Sequence, residues 1–146
     1  MKKYPAVVPL LASALLLMGA SNGEWLHRVP AQDHDRVDPL RTNAQSFQQA
    51  AAAGAQIFSD HCARCHGNDA MGRGHRPAII SDRISHATDG DLFWMVTHGN
   101  AWKGMPPWQM LPEKERWQLV TYIRSLNLAS AASSTNTTSS TTKTEK

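Results

Sequence analysis

The chain has two cysteines, Cys62 and Cys65, three residues apart, and His66 follows the second at once. Three chemistries use such a group. A redox disulfide of the thioredoxin kind follows a strand in a βαβ setting, whereas the residues before Cys62 are alanine-rich with helical spacing. A structural zinc ion needs four protein ligands, and no second Cys or His pair of suitable spacing is present. Cys-X-X-Cys-His is the attachment site of c-type haem. Two thiols three apart on one helical turn reach two vinyl groups along one porphyrin edge. The next residue then presents its imidazole to the iron from the same side. Cys62 and Cys65 are therefore read as covalent haem attachment points, and His66 as an axial iron ligand.

The second axial position decides the function. Closed by a side chain, the iron transfers electrons; open, it binds a peroxide or a diatomic gas. A thioether is a soft donor suited to iron that changes oxidation state. Met71 is too close to His66 to pass round the ring. Met95 lies among apolar neighbours and reads as core filler, and Met110 adjoins the last helix. Met105 stands apart, in Gly104-Met105-Pro106-Pro107-Trp108. Pro106 biases Met105 toward an extended backbone, Pro107 stiffens the step to Trp108, and Gly104 permits close approach to the ring. Met105 is the expected second ligand; His61, His75, His86 and His98 are the rival donors.

Three helices must position these groups. From Asn43 to Phe58, Phe47, Ala50, Ala51, Gly54, Ile57 and Phe58 share one face, with Asn43 as N-cap. Gly54 is either a tolerated glycine, costing about 1 kcal/mol against alanine, or a point where another helix crosses closely. From Thr88 to His98, Thr88 and Asp91 fit a capping box and Gly99 a helix stop. From Leu111 to Leu126, Pro112, Glu113 and Glu115 suit a helix start, and Leu119, Val120, Ile123 and Leu126 form an apolar stripe. The stretches between are loops rich in Gly and Pro, and no strand pattern is evident.

The 146 residues suffice for one ordinary domain. Lys2 and Lys3, then an apolar run from Ala6 to Met18 and small residues to Ser21, have the layout of a secretory signal peptide over 1–21. The run is short for a membrane span and Pro9 interrupts it, so cleavage is expected rather than an uncleaved anchor. Residues 22–43 form a polar leader arm, either a free leader or an arm lying on the domain, 44–128 the folded domain, and 129–146 a Ser/Thr-rich tail expected to be disordered. The formal charge of +3 resides at the two ends: from Ser21 to Leu128 eleven Lys or Arg balance eleven Asp or Glu. No basic face for nucleic acid or anionic lipid is implied.

The residues between Ala44 and Leu126 resemble the class I monohaem c-type cytochromes, particularly the small periplasmic bacterial ones. The shared parts stand in the family's order: Gly54 and Phe58, Cys62-Ala63-Arg64-Cys65-His66-Gly67, Gly72-Arg73-Gly74, Gly99-Asn100, Met105-Pro106-Pro107-Trp108, and Leu119-Val120-Thr121-Tyr122-Ile123. The resemblance implies an all-α fold of helices wrapped around one covalently bound haem c. It also implies that the first and last helices cross at Gly54, Phe58, Leu119 and Tyr122. Arg73, Arg76, Arg83, Trp94 and Trp102 become candidate donors to the haem propionates. The implied function is one-electron transfer in the periplasm, between a dehydrogenase or quinol-oxidising complex and a terminal oxidase, rather than enzymatic turnover. Redox proteins are the expected partners of a monomer with no membrane span once processed. The alternatives are a dedicated cytochrome subunit of a periplasmic dehydrogenase, and a haem protein with an open iron site.

Overall fold

Residues 28–139 are described by the computed structural model, and within them the chain is helical, with two isolated bridges and no strand. The expected signal peptide, Trp25 and the last seven residues of the tail lie outside the described residues. The elements in chain order are α1 (Ala31–His34), α2 (Ala44–His61), α3 (Ala63–His66), α4 (Asp82–His86), α5 (Asp89–His98), a 3-10 turn (Ala101–Lys103) and α6 (Glu113–Ser139). The all-α fold class expected from the resemblance is what the chain adopts.

The helix starts follow the local chemistry. The Asn43 side chain accepts from the Ser46 amide at 2.9 Å, and Ser46 Oγ accepts from the Asn43 amide at 3.1 Å. Thr88 and Asp91 close the same kind of reciprocal box at the start of α5. α2 and α6 then cross where glycine leaves room. A Cβ on Gly54 would strike the Gln118 carbonyl and come within 2.9 Å of Tyr122 Cβ. The Phe58 and Tyr122 rings meet at 5.3 Å. Of the two readings of Gly54, the close crossing is the one the fold uses.

The core has two parts. Ala87, Leu92, Phe93, Trp117, Val120 and Ile123 form one cluster between α5 and α6. Phe58, Ala63, Ala70, Val96 and Leu119 form the other, beside the cysteine motif. Ile79 packs against both. Arg124, on α6, fastens the pieces between them. It donates to the carbonyls of Ile84, Ser85 and Ala87 at the end of α4, and pairs with Asp89 at 2.7 Å. Bonds from a charged donor to otherwise orphaned carbonyls act as a helix cap.

Two segments differ in detail from the expectations of the sequence. The arm before α2 lies on the domain, one of the two placements open to it, against α5 and α6, and differs in carrying a short helix, α1. Gly90 abuts the Asp33 and His34 carbonyls, with no room for a side chain. Asp38 is buried and accepts from Thr121 Oγ1 at 2.6 Å. Burial pushes the Asp38 carboxyl above its ordinary range, against the opposing pull of the Thr121 bond. Arg36 lies over the Phe93 ring at 4.2 Å and pairs with Glu113 at 2.6 Å. Val29, Pro30 and the polar residues after them show no period because these anchors are single side chains, each with its own distant partner. The second difference is at α6. It does not stop at Leu126 but runs to Ser139, eleven residues into the segment expected to be disordered. Leu128-Ala129-Ser130-Ala131-Ala132 contains no glycine or proline to break the helix, and residues 128–134 are exposed.

Candidate functional site

The cysteine motif sits at the junction of α2 and α3. Cys62 ends α2, its amide donating to the Phe58 carbonyl at 2.8 Å, and its own carbonyl accepts from the amides of Cys65 and His66 at 3.0 Å. One tight turn thus carries both thiols and the imidazole. Neither thiol is in a disulfide, and both cysteines are half-buried. Burial, with Cys65 beside it, pushes the Cys62 thiol up to about 11. Attacking cysteines of redox motifs have the opposite shift, toward a stable thiolate, so this environment does not suit disulfide exchange.

His66 is oriented from behind. Its Nδ1–H donates to the Pro77 carbonyl at 2.9 Å. The proton on Nδ1 leaves the lone pair on Nε2, which is the tautomer a metal ligand needs. The loop that brings Pro77 there is itself tied down: the Gly72 amide donates to the His66 carbonyl at 2.8 Å, and the Ile79 amide to the Ala70 carbonyl at 2.8 Å. Pro77 carries no sequence signal for this role, since the contact uses only its backbone oxygen.

Met105 lies on a loop closed by its own bridge. Asn100 and Met105 exchange backbone hydrogen bonds at 2.9 and 3.0 Å around the 3-10 turn. The loop rests on the end of α5. A Cβ on Gly99, at φ +65°, would come within 2.6 Å of the Met105 carbonyl oxygen, and the Trp108 amide donates to the Val96 carbonyl at 3.1 Å. Met105 is half-buried. Among the other methionines, Met71 and Met110 are 58% and 69% exposed and Met95 is half-buried on α5.

Two contacts join the Met105 loop to the cysteine motif and the loop after it. The His61 and Trp108 rings meet at 4.9 Å. Arg76 Nη1 donates to the carbonyls of Lys103 and Gly104 at 2.8 and 3.1 Å. The open side of Gly104, at φ +72°, faces the Arg76 guanidinium, which a Cβ would meet at 2.8 Å. That side of Gly104, expected from the sequence to face the ring, belongs to Arg76. Of the remaining histidines, His86 and His98 turn Nδ1 to the Asp82 and Trp94 carbonyls of their own helices, at 2.6 and 3.0 Å. The other propionate candidates are unequally placed: Arg73 is exposed, Trp94 stacks on His98 at 4.6 Å, and Trp102 is 87% exposed.

These residues fit haem c. The turn offers two free thiols three apart, an imidazole whose tautomer is set for a metal, and a thioether on the loop joined to it. Among the described residues no group of three or more His, Cys, Asp or Glu gathers as a cation site.

The comparisons with known proteins agree with this chemistry. The family model described as cytochrome c oxidase, cbb3-type, subunit III matches residues 49–123, from α2 through the cysteine motif and the Met105 loop into α6. A cbb3-type cytochrome c oxidase subunit FixP of Sinorhizobium medicae (strain WSM419) is 33% identical over 111 residues. That alignment covers 64% of this chain and 36% of the relative's length. The chain belongs to the family of cbb3-type cytochrome c oxidase subunit III, as an electron-carrying cytochrome c domain of class I with one covalently bound haem c.

Proposed function

We propose that Cys62 and Cys65 form the thioether bonds, that His66 and Met105 are the axial ligands, and that the chain is an exported one-electron carrier, not an enzyme. Its electrons come from a dehydrogenase or quinol-oxidising complex and go to a terminal oxidase of the cbb3 type. The observation that carries the reading is the His66 Nδ1 bond to Pro77, on the same turn as two free thiols. When bound, haem c supplies a couple that gains and loses one electron. The chain's part is to hold it. Pro77 keeps the His66 lone pair on Nε2 whatever the oxidation state. The Met105 sulfur, a soft donor, favours the reduced state and raises the potential relative to a second imidazole. Held by both His66 and Met105, the iron would offer no site to a substrate. Half-buried Cys62 and Cys65 put the attachment edge near the surface, where a partner protein can approach.

A second reading, a resident oxidase subunit rather than a diffusing carrier, is supported by the relative's name. The chain matches only 36% of that protein. The experiment mixes the purified, reduced holoprotein with membranes containing a cbb3-type oxidase and monitors its oxidation under oxygen. A carrier is oxidised at a rate that rises with its concentration. Tight co-purification with a larger complex favours the subunit reading. A holoprotein that is not oxidised, and whose reduced form binds carbon monoxide at once, contradicts both.

A further inference from the structure

We infer that Arg76 is a positioning residue for Met105: it latches the loop that carries the second ligand to the loop that orients the first. The inference rests on the reading of Met105 as an axial ligand. Arg76 and Pro77 are neighbours in sequence with separate tasks. Pro77 turns its carbonyl to His66, and Arg76 sends its guanidinium across to the carbonyls of Lys103 and Gly104, the two residues before Met105. The stem of the latch is rigid. Arg73 and Arg76 exchange backbone bonds at 3.3 and 2.8 Å, so the side chain starts from a fixed point.

The receiving end is shaped for it. Gly104 leaves the space that Nη1 occupies. The two acceptors are carbonyls at the end of the 3-10 turn, whose own amides are already engaged inside the loop. Among the described residues, the hydrogen bonds that reach 103 and 104 from another part of the chain come from Arg76. A charged donor makes bonds roughly twice as strong as a neutral one. The fork geometry of guanidinium also fixes direction, which an ammonium does not. Release of this latch leaves residues 101–104, all exposed, held mainly by the Asn100–Met105 bridge.

The latch predicts how fast Met105 yields its position. In the reduced holoprotein carbon monoxide must wait for Met105 to leave, so its binding rate reports loop opening. Stopped-flow binding is measured for wild type, Met105→Ala, Arg76→Gln and Arg76→Lys, with spectra recorded before mixing. Met105→Ala is expected to bind rapidly, which establishes the ligand independently of Arg76. Arg76→Gln is expected to bind about tenfold faster than wild type, the consequence of losing a charged hydrogen bond, while keeping the six-coordinate spectrum. Arg76→Lys should show a smaller increase. If Met105→Ala binds no faster than wild type, the ligand reading fails and the latch with it. If Met105→Ala is fast but Arg76→Gln keeps the wild-type rate, the latch alone is overturned. Should Arg76→Gln yield no holoprotein, Arg76→Lys decides, and an unchanged rate there counts against the latch.

Discussion

A carbonyl sets the chemistry of His66 and a pair of prolines sets that of Met105. The Pro77 oxygen holds the Nδ1 proton at 2.9 Å, and Pro106 and Pro107 keep the backbone after Met105 extended. The thioether is the donor whose identity matters most for the potential. Met105→His is expected to keep the covalent haem and stay low-spin, while its reduction potential falls by on the order of 100 mV or more, within the ~0.8 V that axial ligands span. Potentiometric titration checks this, and an unchanged potential removes Met105 from the iron. The motif itself is legible in the sequence because the two cysteines and His66 are local to one turn. Pro77, Arg76 and the His61–Trp108 contact are not, because each acts on a residue brought near only by the fold.

At the scale of elements, the crossing of α2 and α6 and the docking of the arm can be tested separately. Gly54→Ala places a methyl group against the Gln118 carbonyl. It should cost about 1–3 kcal/mol despite alanine's better helix propensity, measured by denaturant unfolding of the holoprotein. A neutral or stabilising result means that the helices are farther apart than described. The arm makes a pH-dependent prediction. The His34 Nδ1–H donates to Asp91 at 2.8 Å, and this bond, with the Asp91 charge, raises His34 above its ordinary 6.5. The folded state therefore holds the proton more tightly than the unfolded one. The contribution is full below the unfolded value and is lost as pH rises through the raised folded value. Glu113 has the opposite sign: bonds from Trp117 and Arg36 lower it, so its contribution is present above its ordinary 4.5 and is lost as pH falls through the lowered value. The melting-temperature gap between wild type and His34→Gln should therefore close as pH rises from the ordinary 6.5 through the raised folded value. A constant gap means that the His34–Asp91 pair does not titrate with folding. The capped starts of α2 and α5 are legible because each box is contained in four residues. The arm is not, since Asp38 and Thr121 lie 83 residues apart and no periodicity links them.

For the whole molecule, the core is small and divided, and its second cluster lies beside the cysteine motif. A ligand that binds the folded chain and not the unfolded one stabilises it in proportion to its affinity, and domains of this size often depend on such help. The double variant Cys62→Ser/Cys65→Ser should lose the sharp thermal transition of the holoprotein, seen by circular dichroism; an unchanged melt means that the helices hold together unaided. The helical class and the order of the three long helices are legible from amphipathic spacing. The exposed end of α6 is not, because composition cannot distinguish a solvated helix from a coil when no tertiary contact decides. Magnetic circular dichroism of the native holoprotein, recorded in both oxidation states, tests the central claim most directly. Low-spin iron with one imidazole and one thioether in both states is the predicted result, and two imidazoles, or a high-spin five-coordinate iron, would contradict it.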